Sequence, residues 1–295
     1  MPKSYTVSAR LLTHYRRTAR ALPWRRTQDP YAVLVSEVML QQTQAARVTP
    51  AFERFVWRFP TLAALARAPL GAVLREWSGL GYNRRARDLH RIARLVPQGL
   101  PGTVAELDAL PGIGPYTAGA IACFAFGRRA PFADTNIQRV LGRFFLGRPA
   151  TNREAVALDA EAMPRRSADL WHHALMDLGA TLCKPRDPSC DACPLKEDCR
   201  FALASAAGRH PDGLTGRLDQ QATRNGPRDR AMRPAAYKDT DRRVRGAIVR
   251  ALTARDMTVR SLEKEIGDER VGRLTEALVA DGLVERAGRG YRLPL

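Results

Sequence analysis

The chain has 295 residues, 45% of them hydrophobic, which is enough for a packed core and fits two or three domains. Lysine and arginine number 48 against 30 acidic residues, a net charge of +18 that favours a polyanion such as nucleic acid; the plainer alternative is a soluble protein from an arginine-rich proteome. No apolar stretch approaches the roughly 18 residues of a membrane span, and Arg10, Arg16, Arg17 and Arg20 interrupt any signal-peptide core, so a cytoplasmic setting is expected, where clustered cysteines bind metal and not one another.

Ser8 to Arg20 carries Leu11, Leu12, Tyr15 and Ala19 at helical spacing. Leu22-Pro23-Trp24-Arg25 ends that helix, and Asp29-Pro30-Tyr31 opens another, since proline fits a first turn. Glu37 falls among the apolar residues of this second helix. A buried carboxylate there is either paired with an arginine such as Arg25 or a general acid of the kind that burial favours. The helix runs into Leu40-Gln41-Gln42-Thr43-Gln44, a polar cluster that is either a solvated helix end or a contact surface.

Short helices follow between Ala51 and Leu80, with Phe52, Phe55, Phe59 and Trp77 as core candidates. Gly79-Leu80-Gly81-Tyr82-Asn83 reads as a tight turn, and Arg84, Arg85, Arg87 and Arg91 after it form either a solvated face or a phosphate-facing one. Next comes Leu-Pro-Gly-Ile-Gly-Pro-Tyr over 110–116. Pro111 and Gly112 break a helix, Gly114 is expected in a conformation closed to other residues, and Pro115 starts a new helix. Bare N–H groups beside a helix N-terminus suit a phosphate. An apolar run from Thr117 to Phe126 leads towards Asp134, which on its own reads as a helix cap. Helices are expected over 140–146, 154–163 and 170–181, and no alternating strand is found in 1–200.

Cys183, Cys190, Cys193 and Cys199 lie in one short, proline-containing loop. Four thiolates converging from such a loop fit zinc or an iron–sulfur cluster. Zinc usually takes two Cys-x-x-Cys knuckles and this loop has one, which favours the cluster. Cys123, inside an apolar run, is expected to be simply buried. Ala202 to Ala236 is rich in Gly, Pro, Arg and Asp and reads as a linker. Helices over 244–252, 261–266 and 271–280 and a terminal hairpin around Gly288 and Gly290 then suggest a winged-helix module, contacting DNA through the helix from Asp268 and the Arg286–Arg292 wing, or a small helical packing domain. The expected partition is 1–201, 202–238 and 239–295.

The hairpin at 110–116, Asp134 and the cysteine spacing together resemble the helix-hairpin-helix DNA glycosylase superfamily, and most closely its MutY-type adenine glycosylase branch, over residues 11–201. The resemblance implies an all-α, two-lobed core with a [4Fe-4S] loop, joined here to a small winged-helix-like C-terminal domain. It implies a monofunctional enzyme that flips a mispaired adenine out of duplex DNA, opposite guanine or 8-oxoguanine, and hydrolyses its glycosidic bond. Glu37 is then the acid that protonates the base and Asp134 the carboxylate that stabilises the sugar cation. Tyr116 hydrogen-bonds in the site; the strand-cleaving branch has Lys there, so lyase chemistry through a Schiff base is not expected. Trp24 and Arg25 match positions around the adenine, Gln42 and Thr43 enter the duplex, and Tyr82 wedges beside the opposite base. Gly112 and Gly114 meet the backbone, and Asn136 steadies a phosphate or the nearby loop.

Cys183, Cys190, Cys193 and Cys199 are the family's cluster ligands, in a role that takes no part in base removal. His173 departs from the Glu or Gln of better-known members, and Asn83 from a frequent Tyr. No Nudix-like domain of the sort that reads 8-oxoguanine in larger relatives is legible. The rival readings are a thymine or uracil glycosylase acting on mismatches with guanine, which Tyr116 with Asp134 also fits, and a non-catalytic iron–sulfur DNA-binding regulator. The expected partner is duplex DNA holding a mispair or an oxidised guanine, bound by a monomer.

Overall fold

The computed structural model describes residues 2–207 and 240–295; most of the expected linker lies outside them. Helices dominate. In chain order they are α1 (Pro2–Thr18), α2 (Pro30–Leu40), α3 (Ala45–Arg58), α4 (Leu62–Arg67), α5 (Leu70–Glu76), α6 (Arg84–Leu95) and α7 (Val104–Asp108). Then come α8 (Pro115–Phe126), α9 (Thr135–Leu146), α10 (Asn152–Ala162), α11 (Ala168–Thr181) and α12 (Arg200–Ala206). The C-terminal part holds α13 (Asp241–Ala251), α14 (Val259–Ile266), α15 (Val271–Ala280) and an antiparallel pair, β1 (Glu285–Ala287) with β2 (Gly290–Arg292). The strand-free reading of 1–200 holds for the described residues. Helix α12 occupies part of the stretch expected to be linker. No described helix is long and apolar enough to cross a membrane.

The chain divides into two compact units. Among the described residues the first contains 2–21, 102–108 and 114–207, and the second contains 22–101, 109–113 and 240–295. In the first unit α9 packs against α10, α11 and α12, and α1 lies along α11. Asp177 of α11 ties α1 in place: its carboxylate accepts from the Arg20 backbone N–H at 3.0 Å and from Arg20 Nε at 2.5 Å. The Thr151–Glu154 capping box starts α10, satisfying two N–H groups that the helix itself cannot pair.

In the second unit α2 is the buried centre, with Tyr31 to Met39 all inside. Its start follows from the sequence: Pro30 fixes the first turn, and the Asp29 carboxylate accepts from Tyr31 N at 3.3 Å and Ala32 N at 3.1 Å. Such a cap contributes about 1 kcal/mol. The C-terminal elements belong to this unit. The Gly71 N–H of α5 donates to the Pro294 carbonyl at 2.7 Å, and the Arg84 guanidinium of α6 pairs with Asp281 at 2.7 Å. A Cβ at Gly71 would lie 2.6 Å from the Pro294 carbonyl oxygen, so only glycine permits this approach.

Candidate active site and cysteine loop

Asp134 caps α9. One carboxylate oxygen accepts from Ile137 N and the other from Asn136 Nδ2, both at 2.8 Å. The Asn136 carbonyl oxygen of the side chain in turn accepts from Arg139 Nη2 at 2.8 Å. Arg139 is 5% exposed and donates further to the Gly179 carbonyl at 2.7 Å and the Cys183 carbonyl at 2.6 Å. A continuous hydrogen-bonded path therefore links the Asp134 carboxylate to the first cysteine of the loop. One turn further along α9, Arg143 donates to the carbonyls of Lys184 at 2.6 Å and Pro185 at 2.9 Å, and its guanidinium lies 4.6 Å from the Phe201 ring centre. Two buried arginines four residues apart thus hold the loop to α9, a spacing that places them on one helix face.

Gly179 sets how closely α11 approaches α9. A Cβ there would lie 2.6 Å from Asn136 Cβ and 3.1 Å from its Cα. Gly179→Ala should therefore push Asn136 off Asp134 and cost about 1–3 kcal/mol of stability as overpacking. A lowered denaturant midpoint at unchanged slope checks this; a midpoint equal to the parent's would mean that the approach is not tight.

Tyr116 and His173 line an aromatic group in the same unit. Tyr116 meets Phe132 edge-on with ring centres 5.4 Å apart, and His173 stacks on Phe124 at 4.2 Å. Phe132 also stacks on His172 at 3.9 Å. His172 is wholly buried, with Nε2 2.8 Å from Asp159 Oδ2 and Nδ1 2.8 Å from the Ala168 carbonyl. Asp159 also accepts from the Phe132 backbone N–H at 3.1 Å and Trp171 Nε1 at 2.7 Å, so this buried carboxylate fixes the segment that leads to Asp134. His173 is consequently no plain surface residue: it is half-buried against an aromatic ring.

Cys183, Cys190, Cys193 and Cys199 all line one small cavity, walled by Val140, Phe144, Leu178, Leu182, Leu195 and Phe201. No three His, Cys, Asp or Glu side chains among the described residues form a group that could hold a metal ion. The donor set nonetheless suits a cationic cluster. Burial pushes the Cys193 thiol up to about 11, and burial together with neighbouring cysteines pushes Cys190 and Cys199 upward. Thiolates in such a place need a positive centre to share. Cys123 is buried, as expected.

The second unit holds Trp24, Arg25, Glu37, Gln42, Thr43, Tyr82 and Gly112. Glu37 is 6% exposed within α2, and Trp24 is buried edge-on against Phe52 at 5.6 Å. Helix α2 stops at Leu40, earlier than the polar cluster; Gln42 follows in a left-handed conformation at φ 55° and is exposed. Tyr82, at the Gly79–Asn83 turn, is left-handed too at φ 49°. Such backbone costs about 1–3 kcal/mol for a residue with a side chain, and outliers of this kind concentrate at functional sites.

Both loops are fastened by Arg85. Its guanidinium donates to the carbonyls of Val38 and Met39 at 2.9 Å, of Gln41, and of Gly81 at 3.2 Å, and to Thr43 Oγ1 at 3.1 Å. Burial pushes its pKa down to about 10. Of the four arginines expected to form one face, Arg85 is thus structural, Arg84 pairs with Asp281 and Arg87 pairs with Asp88 at 2.9 Å. The two hairpin glycines differ from one another, and Gly114 departs from expectation. Gly112 does require its glycine, at φ 73° with the Asp88 Cβ 3.1 Å from where a Cβ would stand, whereas Gly114 sits at φ −115°, an extended backbone open to any residue. The Gly112 carbonyl accepts from Gln41 Nε2 at 3.4 Å.

Sequence reasoning missed Arg139, Arg143, Asp159 and Gly179. The signal that could have found the two arginines is the Asn136, Arg139, Arg143 stripe on α9 at helical spacing.

Comparison with known proteins agrees with this architecture. The model of the HhH-GPD superfamily base excision DNA repair proteins matches residues 35–165. An adenine DNA glycosylase of Mycobacterium tuberculosis is 39% identical over 299 residues, covering 96% of this chain and 92% of its own. A thymine/uracil-DNA glycosylase of Methanothermobacter thermautotrophicus is 33% identical over 201 residues, covering 65% of this chain and 90% of its own. The solved structure of a thermostable thymine-DNA glycosylase superposes with a TM-score of 0.65 at 28% identity, over 68% of this chain and 97% of that one. The chain belongs to the HhH-GPD superfamily of base excision DNA repair proteins, in its adenine DNA glycosylase branch.

Proposed function

We propose that this protein removes adenine from mispairs in duplex DNA, opposite guanine or 8-oxoguanine, as a monofunctional glycosylase. The observation that carries the reading is the reach of the adenine-glycosylase likeness: it extends over 96% of the chain, whereas the thymine/uracil enzyme matches 65%. The protein acts as a monomer on DNA in the cytoplasm.

In this reading the adenine leaves the stack, because its glycosidic bond is out of reach inside the duplex. Glu37 donates a proton to the extruded base, which makes it a better leaving group. As the bond lengthens, positive charge grows on the sugar and the Asp134 carboxylate faces it; water then adds to the cation and gives its proton to Glu37, left as a carboxylate once the base has departed. Asn136 and the Ile137 N–H hold that carboxylate at a fixed orientation, so little reorganisation is needed when charge appears. Trp24, Arg25 and Tyr116 frame the base, with His173 at its edge. Gln42 fills the space left in the duplex, Thr43 and Tyr82 face the opposite strand, and Gly112 and Gly114 meet a phosphate. Cys183, Cys190, Cys193 and Cys199 hold a [4Fe-4S] cluster, which supplies structural cross-linking of the loop and no step of base removal. Arg139 and Arg143 transmit the position of that loop to α9.

The test is release of free base from four duplexes, pairing A with 8-oxoguanine, A with G, A with C, and T with G, using protein that carries about four iron atoms per chain. Adenine release fastest opposite 8-oxoguanine or guanine is expected. Release of thymine from the T–G duplex alone would replace this reading with the mismatch-thymine one, and a preparation holding zinc without iron would remove the cluster.

A further inference from the structure

The C-terminal module has a basic face that its wing does not supply. On α15 and the hairpin strands, arginines are neutralised within the module, which leaves Arg289 at the exposed turn. Arg273 pairs with Asp241 at 2.9 Å, Arg286 with Glu276 at 2.7 Å and Arg292 with Glu285 at 2.6 Å. Arg270 ahead of α15 pairs with Asp268 at 2.8 Å. The face expected from sequence to touch DNA therefore offers little uncommitted charge.

The opposite holds on α13. Within the second unit, α13 and the Ser78–Arg85 segment bound an open groove of about 790 Å³, lined by Arg47, Arg84, Arg85, Arg242, Arg245 and Arg250 and by no acidic side chain. Arg84 and Arg245 are both held by Asp281, and Arg85 is held by backbone carbonyls. Arg47 and Arg250 are exposed, and neither pairs with a carboxylate among the described residues. Arg242 reaches across the groove: its guanidinium carbon lies 3.9 Å from the Tyr82 ring centre, and it donates to the Tyr82 hydroxyl. The groove thus joins surplus positive charge to an aromatic ring carried on a left-handed turn.

We propose that this groove is a binding site for a phosphodiester strand, and that the module contributes to DNA through Arg250 of α13, with Arg47 of α3 as the second phosphate contact, and not through its wing. Phosphates take the guanidinium groups, which supply position and affinity without reading sequence. The Tyr82 ring is already covered by guanidinium groups, Arg242 at 3.9 Å and Arg85 at 5.2 Å from its centre, so its part is to hold Arg242 at the groove by a cation–π contact. In the proposed function this strand is the one opposite the extruded adenine. That last placement rests on the glycosylase reading; the groove's affinity for a backbone does not.

The full-length protein and an undamaged fluorescent duplex provide the test, with binding measured across a salt series. Each guanidinium that neutralises a phosphate should contribute about 0.9 to the slope of log affinity against log salt. Arg250→Gln and Arg47→Gln should each lower the slope by about that amount, and Arg250→Lys should retain it. Arg289→Gln, at the exposed wing tip, should leave the slope unchanged. Thermal melting of each variant at the parent's midpoint confirms that the fold persists. Parent slopes in both groove glutamine variants, or a drop confined to Arg289→Gln, would overturn the proposal. Adenine release by the parent, assayed separately, tests the function reading alone, so the two can fail independently.

Discussion

Asp134→Asn is expected to slow single-turnover adenine release by at least about 10³-fold while duplex affinity stays within a few-fold of the parent's. The size of the effect is what makes the test decisive. Asparagine still caps α9, because its side-chain oxygen can accept the Ile137 N–H that Asp134 accepts at 2.8 Å. Only the hydrogen bond donated by Asn136 Nδ2 is forfeited, since an amide NH₂ cannot accept it in the same orientation. One such bond is worth about 1 kcal/mol, whereas 10³-fold in rate is about 4 kcal/mol. A mere structural disturbance falls short of that by about 3 kcal/mol. Release at the parent rate from purified Asp134→Asn would sink the assigned chemistry.

Glu37→Gln should reduce release by about 10²- to 10⁴-fold, the span covered by loss of a positioned acid. Glutamine has nearly the volume of glutamate, so the packing of α2, with Glu37 at 6% exposure, is kept. What the substitution removes is the proton that the proposed mechanism transfers. In the proposed mechanism both acids serve one transition state, so the double variant is expected to be little slower than the slower single one. Full activity in Glu37→Gln, with an unchanged melting midpoint, would remove the proposed proton donor and leave Asp134 standing.

Legibility in the sequence followed the range of each interaction. The start of α2 could be read from Asp29-Pro30 because cap and helix are adjacent, and the observed carboxylate bonds are the ones that dipeptide predicts. Helical spacing likewise located α10, α11 and α13 to α15 to within a few residues, whereas α9 begins at Thr135, well ahead of the expected 140. Glycine was read less well. Two glycines two residues apart in one hairpin look alike in sequence, yet only Gly112 has a crowded left-handed position, set by Asp88 from a different helix.

Long-range partners were not legible, even where the residue itself lay on a visible helical stripe, as Arg139 does. Arg139 bonds to a carbonyl 44 residues away and Arg84 to a carboxylate 197 residues away. Neither partner can be read from the spacing of its arginine, and arginine at a helix surface reads as solvated until the partner is seen. The same blindness hid the seat of the C-terminal module, which depends on Gly71 and Pro294 meeting through their backbones.

Arg85 carries a consequence for how the second unit meets its partner. One side chain is bonded to the end of α2, to Thr43 and to the Gly81 carbonyl. The segment around Gln42 and the segment around Tyr82 therefore lose their independent freedom when the protein folds, not when it binds. Their ordering entropy is already given up, and a ligand touching both meets a single rigid piece. Association should accordingly lack a slow rearrangement of one loop after the other has engaged.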